Sequence, residues 1–252
     1  MSADSYLQSI LAREAVDAGP FSAVRGVQRQ IQPIIAEWAG TQLVGVSPSG
    51  SFAKGTANNS GTDIDLFISL KEDTTNTLKE IYERLFKRMA DKGYSPRRQN
   101  VSVHIQVNGY EVDLVPAKRQ ASYGDDHSLY RRKVDSWTKT NVTTHIAHVI
   151  RGSRINESRI IKLWRNQKGL EFPSFYLELT VIAALSGQHA SLSSNTWKVF
   201  EYLRDSFSNA RVIDPANTNN IISDDLSAAE QATVKASAVQ ALKATDWNQI
   251  VR

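Results

Sequence analysis

The feature that most constrains this chain is a Gly-Ser turn, Gly50-Ser51, that leads into the alternating run Asp-Ile-Asp-Leu-Phe-Ile at 63–68. Successive side chains of a β-strand point to opposite faces of the sheet. Asp63 and Asp65 therefore share one face, while Ile64 points to the other face, toward a core. The pattern predicts a half-buried strand whose polar face begins with two parallel carboxylates.

Two parallel carboxylates are suited to hard cations. Mg²⁺ prefers oxygen ligands and is commonly bound by one or two carboxylates together with the phosphates of a substrate. The pair Asp63 and Asp65 therefore predicts a magnesium site, with Mn²⁺ as a substitute ion, that also binds a phosphate-bearing ligand.

A third carboxylate is expected from another strand. Residues 101–107 and 110–115 both alternate, and Asn108-Gly109 between them is a strong signal for a two-residue hairpin turn. Asp113 lies in the second strand, and Glu111 shares its face by parity; we favour Asp113 because the Leu-Val-Pro that follows ends the strand near a rim. Three such acids can hold two metal ions about 3.5–4 Å apart, one at an attacking hydroxyl and one at a leaving pyrophosphate.

The Gly-Ser turn supplies the phosphate-binding groups. Glycine permits positive φ and close backbone approach, and backbone amides that open onto a helix attract anions. Ser51 can donate a hydrogen bond to a phosphate, and Lys54 adds a positive charge nearby. Alone, such a turn is typical of an ordinary loop, and an Asp-x-Asp pair is typical of a solvated strand edge. Together with Asp113, they indicate a site for a nucleoside triphosphate and its metal.

These residues resemble a known family. Gly50-Ser51, Gly55-Thr56, Asp63-x-Asp65 and the distant Asp113 look like the signature of the polymerase-beta-type nucleotidyltransferases. Within that superfamily the chain is most similar to the branch of the oligoadenylate synthases, the bacterial cyclic-oligonucleotide synthases of anti-phage signalling and the archaeal-type CCA-adding enzymes. The resemblance implies an α+β fold, with a polymerase-beta-like domain (a small mixed sheet with helices) and a C-terminal all-helical domain.

The hydrophobic pattern agrees with that organisation. It predicts two helices before a first strand at 42–46, and an amphipathic helix over 76–90. Beyond Pro116 strand signals nearly vanish, so the second half is predicted to be helical, with an irregular loop over 214–225. We expect two domains: 1–136, with the N-terminal helices and the catalytic domain, and 137–252, a helical domain that clamps the nucleotide.

The resemblance also implies nucleotide contacts in the second half. In the family a lysine on one helix reaches the triphosphate, and a Ser/Tyr pair at the start of the next helix touches phosphate and stacks on the base. Lys162, Ser174 and Tyr176 stand in those places. Without the family, Lys162 equally suits a solvated lysine and Tyr176 a core aromatic. Thr140 and His145 resemble, at a different spacing, the Thr and His that face sugar and phosphates in CCA-adding enzymes.

Composition excludes some classes of site. The chain has 252 residues, a net charge of +4 and no cysteine, which rules out disulfides and thiolate-bound zinc. The positive charge is compatible with a phosphate-rich partner. No apolar stretch approaches the roughly 20 residues of a membrane span, and the first residues lack a signal-peptide pattern, so we expect a cytoplasmic protein with no membrane partner.

The resemblance implies a Mg²⁺-dependent, template-independent transfer of a nucleoside monophosphate from ATP, CTP or another triphosphate to a hydroxyl, with release of pyrophosphate. If the hydroxyl belongs to a second nucleotide, the products are cyclic or linear oligonucleotide signals, which the lack of an evident appended RNA-binding domain favours. The alternative acceptor is an RNA or tRNA 3′ end. A non-catalytic nucleotide- or RNA-binding module would be expected to lack an acid, whereas Asp63, Asp65 and Asp113 are all present. Base preference and oligomeric state stay open.

Overall fold

The computed structural model describes residues 2–61 and 63–252, which form two units. We call residues 17–53 and 63–146 the sheet unit, and residues 2–16, 54–61 and 147–252 the helical unit. The predicted functional division of the chain between residues 136 and 137 stays a prediction.

The secondary structure alternates in the first part of the chain and is mostly helical later. The helices are α1 (Ala3–Arg13), α2 (Ala23–Ala39), α3 (Gly50–Lys54), α4 (Leu78–Asp91), α5 (Val142–Gly152), α6 (Ile155–Gln167), α7 (Ser174–Ala184), α8 (Leu192–Asp205) and α9 (Ala228–Ala241). The strands are β1 (Leu43–Pro48), β2 (Ile64–Leu70), β3 (Arg97–Arg98), β4 (Val103–Val107), β5 (Tyr110–Arg119), β6 (His127–Arg131), β7 (Ser136–Thr140), β8 (Ile213–Asp214) and β9 (Asn217–Ile221).

The large sheet is mixed, as predicted. Its strands run in the order β1-β2-β5-β4-β3, and β6 and β7 extend it from the end of β5. The pair β2–β5 is parallel, whereas the other pairs of this sheet are antiparallel. The predicted hairpin between β4 and β5 is confirmed, because Asn108 and Gly109 adopt φ values of 51° and 82°, both in the left-handed region that a type I′ turn requires.

The core of the sheet unit follows from strand parity. Ile64, Leu66, Ile68 and Leu70 point to one face of β2 and are fully or almost fully buried. They belong to one cluster with Val27, Ile31 and Ile35 of α2 and Ile81, Leu85 and Met89 of α4. Because the even-numbered residues of β2 occupy this core, its odd-numbered residues, Asp65 included, are left on the opposite face.

The helical unit is built around α7. Pro173 directly precedes this helix, and its residues Leu177, Leu179 and Val181 are buried in a cluster formed with α6, α8 and α9. The ring of Trp164 packs edge-on against Phe200 at a centroid distance of 5.1 Å. Within the described residues, no helix combines the length and the apolar character that crossing a membrane demands.

The expectation that strands end near Pro116 is wrong. β5 continues to Arg119, the hairpin β6–β7 follows it, and β8–β9 form a small hairpin inside the predicted loop region. The sequence does not signal the β6–β7 hairpin, because its connection is a short 3₁₀ turn that ends at Asp135 (φ 43°) and not an Asn-Gly or Asp-Gly turn. Its exposed strand β7 also lacks a regular apolar alternation.

The amphipathic helix α4 begins with a capping box. The Thr77 hydroxyl accepts from the Glu80 amide at 3.2 Å, and the Glu80 carboxylate accepts from the Thr77 amide at 2.7 Å. Thr77→Ala removes one of these bonds and should lower the free energy of unfolding, measured by urea denaturation, by about 1 kcal/mol.

Thr233→Ala is the matched control. Thr233 is an exposed residue inside α9 whose hydroxyl donates back to the carbonyl of Ala229, so its loss should change stability by less than about 0.5 kcal/mol. Equal unfolding free energies for the two variants would contradict the role assigned to the cap.

Candidate functional site

The parallel pairing of β2 and β5 places two of the predicted acids side by side. Asp65 is the direct register partner of Asp113, and adjacent strands lie about 4.8 Å apart. Asp63 is exposed and directly precedes β2, so it lies at the same end of the sheet. The competing candidate, Glu111, pairs instead with Gln106 of β4 and makes an ion pair with Arg97 at 3.3 Å. The register therefore favours Asp113 over Glu111 as the third acid.

A histidine that the sequence analysis did not select holds Asp113. His104 lies opposite Asp113 on β4, and its Nδ1 is 2.8 Å from Oδ1 of Asp113. Its Nε2 hydrogen-bonds the Glu111 carboxylate. Because both ring nitrogens face carboxylates, both contacts are satisfied only when an additional proton resides on the ring or on one of the acids. His104 thus fixes the rotamer of Asp113.

The environment of Asp113 disfavours its charge. Its side chain is 14% exposed, and burial raises the pKa of Asp113, an effect that the hydrogen bond from His104 partly offsets and the nearby charge of Asp63 reinforces. A cation placed beside a buried carboxylate that neighbours another acid stabilises the charged form of that carboxylate.

The Gly-Ser turn lies against the second aspartate. Gly50 has a φ of 56°, and a Cβ built on it would stand 1.7 Å from Oδ2 of Asp65. The amide of Ser49 donates to the backbone carbonyl of Asp65 at 2.8 Å. Only glycine fits this position, for both steric and conformational reasons. Ser51 follows it in the first turn of α3 and is partly buried.

The three predicted aspartates form a set of donor atoms that fits a hard divalent cation. Asp63, Asp65 and Asp113 offer oxygen ligands, which Mg²⁺ prefers, and burial, reinforced by Asp63, raises the pKa of Asp113, so a cation beside it would stabilise its charged form. Across residues 2–61 and 63–252, however, no three carboxylate or imidazole side chains lie close enough together to enclose a metal ion as they stand. The metal role of the three aspartates stays a prediction.

Lys54 and Lys162 lie in the helical unit and share one buried carboxylate. Glu178 is completely buried, and its two oxygens are each 2.5 Å from an ammonium, Oε2 from Lys54 and Oε1 from Lys162. Lys162 also donates to the Thr56 hydroxyl at 2.8 Å, and that hydroxyl donates to Glu178. The ammonium groups of the two lysines predicted to bind phosphate therefore already have partners within the protein.

Burial and charge compete in this cluster. Burial lowers the pKa of Lys162 to about 8, although Glu178 acts in the opposite direction. Burial alone would raise the pKa of Glu178, but the two lysines outweigh it and the pKa is lowered. At neutral pH the cluster of two ammoniums and one carboxylate carries one excess positive charge, which makes it attractive to an anion.

Ser174 and Tyr176 have different surroundings. Ser174 begins α7, and its hydroxyl accepts from Arg165 at 3.1 Å. Tyr176 is completely buried against Phe172 and Phe207, and its hydroxyl has no hydrogen-bond partner among the described residues. Burial raises the pKa of Tyr176 to about 12. The partly exposed aromatic ring at this turn is Phe175, which lies 4.8 Å from the Lys54 ammonium. The predicted base-stacking role of Tyr176 stays a prediction.

Thr140 and His145 both belong to the sheet unit. Thr140 ends β7, is buried and pairs across the strands with His127. His145 lies on α5, where its amide donates to the carbonyl of Asn141 at 3.0 Å. Their predicted contacts with nucleotide also stay predictions.

The sequence analysis did not select Glu178 or His104, although a sequence pattern points to each of them. Glu178 is the one charged residue in the apolar helix Ser174–Ala184, and a buried charge requires a partner. His104 shares the face of Gln106 on the strand opposite Asp113, so the hairpin register that the Asn108-Gly109 turn fixes already predicts the contact.

Comparisons with known proteins agree with this geometry. Residues 35–141 match the family model of the nucleotidyltransferase domain. The CCA-adding enzyme of Methanosarcina barkeri is 29% identical over 177 residues, which are 66% of this chain and 37% of that protein. The cyclic AMP-AMP-AMP synthase of Escherichia coli is 24% identical over 178 residues, 63% of this chain and 56% of that protein. The chain therefore matches 37% of the first curated relative and 56% of the second, which is less than two thirds of either.

The fold has clear counterparts among solved structures. The Bradyrhizobium diazoefficiens CD-NTase CdnG in complex with GTP superposes with a TM-score of 0.80 at 13% identity, covering 96% of this chain and 91% of the other. At that identity the likeness shows the fold. The family match covers the Gly-Ser turn and all three aspartates. The predicted resemblance to nucleotidyltransferases is therefore confirmed over residues 35–141, and the structure as a whole shares the fold of the CD-NTase.

Proposed function

We propose that this chain transfers a nucleoside monophosphate from a nucleoside triphosphate to a hydroxyl group and releases pyrophosphate. The observation that carries the proposal is the register of β2 and β5, which sets Asp65 beside Asp113 at the point where Gly50 approaches Asp65. Carboxylates next to a glycine turn whose backbone amides attract anions offer cation ligands and a binding place for phosphate at the same end of the strands.

The residues around Asp65 and Asp113 each have a role in the transfer. Gly50 lets the backbone of the turn lie against the Asp65 carboxylate and offers a backbone amide to a phosphate, and the Ser51 hydroxyl donates to a phosphate oxygen. His104 keeps Asp113 oriented. Positioning and charge compensation are the main contributions that a protein makes to phosphoryl transfer.

Asp63, Asp65 and Asp113 would hold the divalent ions, Mg²⁺ or Mn²⁺. When bound there, such ions lower the pKa of the attacking hydroxyl and neutralise charge on the phosphates. Lys54, Lys162, Ser174, Tyr176, Thr140 and His145 remain proposed nucleotide contacts. A cytoplasmic location remains part of the same proposal.

We favour a second nucleotide as the acceptor, which makes the product a cyclic or linear oligonucleotide signal. The likeness to the cyclic AMP-AMP-AMP synthase and to the CD-NTase fold supports this choice. The second candidate is an RNA or tRNA 3′ end, which the 29% identity to a CCA-adding enzyme supports.

The acceptor experiment separates these candidates. The protein is incubated with Mg²⁺ or Mn²⁺ and each labelled triphosphate, alone and with a tRNA or short RNA, then treated with phosphatase before the products are separated. Label that resists phosphatase without RNA supports the signal synthase, whereas label only at an RNA 3′ end supports the terminal transferase. The double variant Asp63→Ala, Asp65→Ala should stay folded and lose all product; activity retained there would overturn the assignment of the acids.

Gly50→Ala tests the close approach of the turn. The new Cβ would overlap the Asp65 carboxylate and adopt an unfavourable positive φ, so that carboxylate must move. A displacement near 1 Å at a reacting centre costs about 100-fold in rate, which is the expected loss of transfer. Gly26→Ala, whose Cβ would meet nothing within 4 Å, is the control and should keep full activity. Equal rates for the two variants would count against the turn.

Glu178→Gln tests the buried ion cluster. The change leaves two buried ammoniums without their counter-charge, so the free energy of unfolding should fall by about 3–5 kcal/mol in urea denaturation.

Glu178→Gln combined with Lys162→Met is the matched control. It removes one positive charge together with the negative one, and it should regain part of the lost stability. Strictly additive losses in this double-mutant cycle would show that Glu178 and Lys162 do not act as a pair.

A further inference from the structure

The turn between β6 and β7 begins with three basic residues that have no acidic partner. Arg131, Arg132 and Lys133 follow one another; the last two are exposed and the first is partly exposed. The Nε of Arg132 donates to the backbone carbonyl of Gln99 at 3.2 Å, a contact that leaves the positive charge uncompensated. Within the part of the chain that the structure describes, none of the three forms an ion pair with a carboxylate. We call residues 131–133 the basic turn.

The other basic runs on the strands of the large sheet are engaged by the protein itself. Arg97 and Arg98 form ion pairs with two glutamates, at 3.3 and 2.7 Å. Lys118, which begins the run at 118–119, donates to a backbone carbonyl at 2.6 Å. Internal neutralisation, the ordinary explanation for a surface cation, therefore accounts for Arg97 and Arg98 and leaves the basic turn unexplained.

The acid nearest in sequence to the basic turn does not neutralise it. Asp135 accepts a hydrogen bond from the Tyr130 hydroxyl at 2.5 Å and forms an ion pair with Lys79 of α4 at 3.1 Å. These two contacts lower the pKa of Asp135, which keeps it charged and paired. Because Lys79 and Asp135 cancel each other, the basic turn contributes three uncompensated positive charges.

An exposed aromatic ring lies on the same hairpin. Trp137 is 59% exposed, although its register partner Tyr130 is buried in the core. Its strand, β7, pairs with β6 and with no other described strand, so it is an edge of the sheet. An exposed apolar ring on an edge strand favours unwanted association. Folding therefore gives no reason for a tryptophan at this position.

Cations beside an exposed aromatic ring are the groups that bind single-stranded nucleic acids. The cations contact phosphates, and the flat ring stacks on a base. A duplex keeps the faces of its bases stacked inside the helix, where a side chain on a strand edge does not reach them. An acidic peptide would satisfy the cations but would leave the face of Trp137 without a matching planar group. The combination of charge and ring therefore favours a single strand.

We propose that the basic turn and Trp137, together the hairpin surface, bind a single-stranded polynucleotide without sequence preference. Arg131, Arg132 and Lys133 contact its phosphates, and Trp137 stacks on a base. The inference does not rest on the proposed transfer reaction, because none of these four residues belongs to the candidate site. RNA and single-stranded DNA share the recognised chemistry.

Binding is tested with the full chain in EDTA and without triphosphate, which separates it from catalysis. Labelled oligo(U) and oligo(dT) of about 20 nucleotides are titrated into the protein at salt concentrations between about 50 and 200 mM, and binding is followed by fluorescence anisotropy. Three phosphate contacts predict a slope of about −2 for the logarithm of the binding constant against that of the salt concentration.

Saturable binding of either strand with that slope supports the proposal, and tighter binding of oligo(U) would identify RNA as the ligand through its 2′-hydroxyls. Saturable binding of neither strand overturns it. A duplex that binds as tightly as the single strands, or polyglutamate that competes as well as an unlabelled strand, overturns the assignment to a single-stranded polynucleotide.

A triple variant tests the charges. Arg131→Gln, Arg132→Gln and Lys133→Gln together should bring the salt slope close to zero. The matched control is Lys168→Gln, Arg211→Gln and Lys243→Gln, which removes the same three charges from exposed positions of the helical unit. The control should keep the slope and an affinity within about twofold of the wild type. Equal losses in the two triple variants would show an effect of net charge alone and overturn the location.

Trp137→Leu tests the ring while all three cations stay in place, so it decides the question even if the triple variant fails to fold. Among the tryptophans of the described chain Trp137 alone is exposed, and stacking on a base should quench its fluorescence. The variant should lose the quenching and bind oligo(U) about tenfold more weakly. Phe21→Leu, which changes a ring that is 89% exposed elsewhere in the sheet unit, should keep both. Quenching and affinity that persist without Trp137 would overturn the stacking contact.

Discussion

The parallel register of β2 and β5 is the constraint on which the candidate site depends. Residues 64, 66, 68 and 70 fill the core on one face, so the register cannot slip by one residue without burying Asp65 and exposing that core. The same pairing that stabilises the unit therefore sets Asp65 beside Asp113. His104 enters through the antiparallel partner β4, whose register the Asn108-Gly109 turn fixes. The strand pairing that stabilises the sheet unit therefore also sets the geometry of the candidate site.

The helical unit contains a buried carboxylate that is paired with two lysines. Glu178 would be very costly as a lone buried carboxylate, and its two short contacts with Lys54 and Lys162 offset that cost. The result is a cluster that is rigid and still one charge positive. Because both ammoniums already have a carboxylate partner, an incoming anion would compete with Glu178 for them. The cluster is thus a structural element first, and its attraction for phosphate depends on the excess charge.

The sequence was most informative where one local rule decided the outcome. The alternation of residues 64–70 follows from strand parity and the Asn108-Gly109 hairpin follows from turn chemistry, and the structure agrees with both. It was least informative where partners are distant in the chain. Glu178 meets Lys54 across more than a hundred residues, and the Ser69–His127 pair joins two strands of which one was not predicted. No periodicity encodes such pairs, because they arise only when the chain has packed.

The fold alone does not choose the acceptor. Proteins that resemble this chain include one described as a CCA-adding enzyme and one described as a cyclic AMP-AMP-AMP synthase, so similar scaffolds serve different acceptors. Aspartates that bind metal and phosphate would act alike on any of these substrates, because phosphate carries no information about the base. Discrimination must then come from groups that contact the base and not the phosphates.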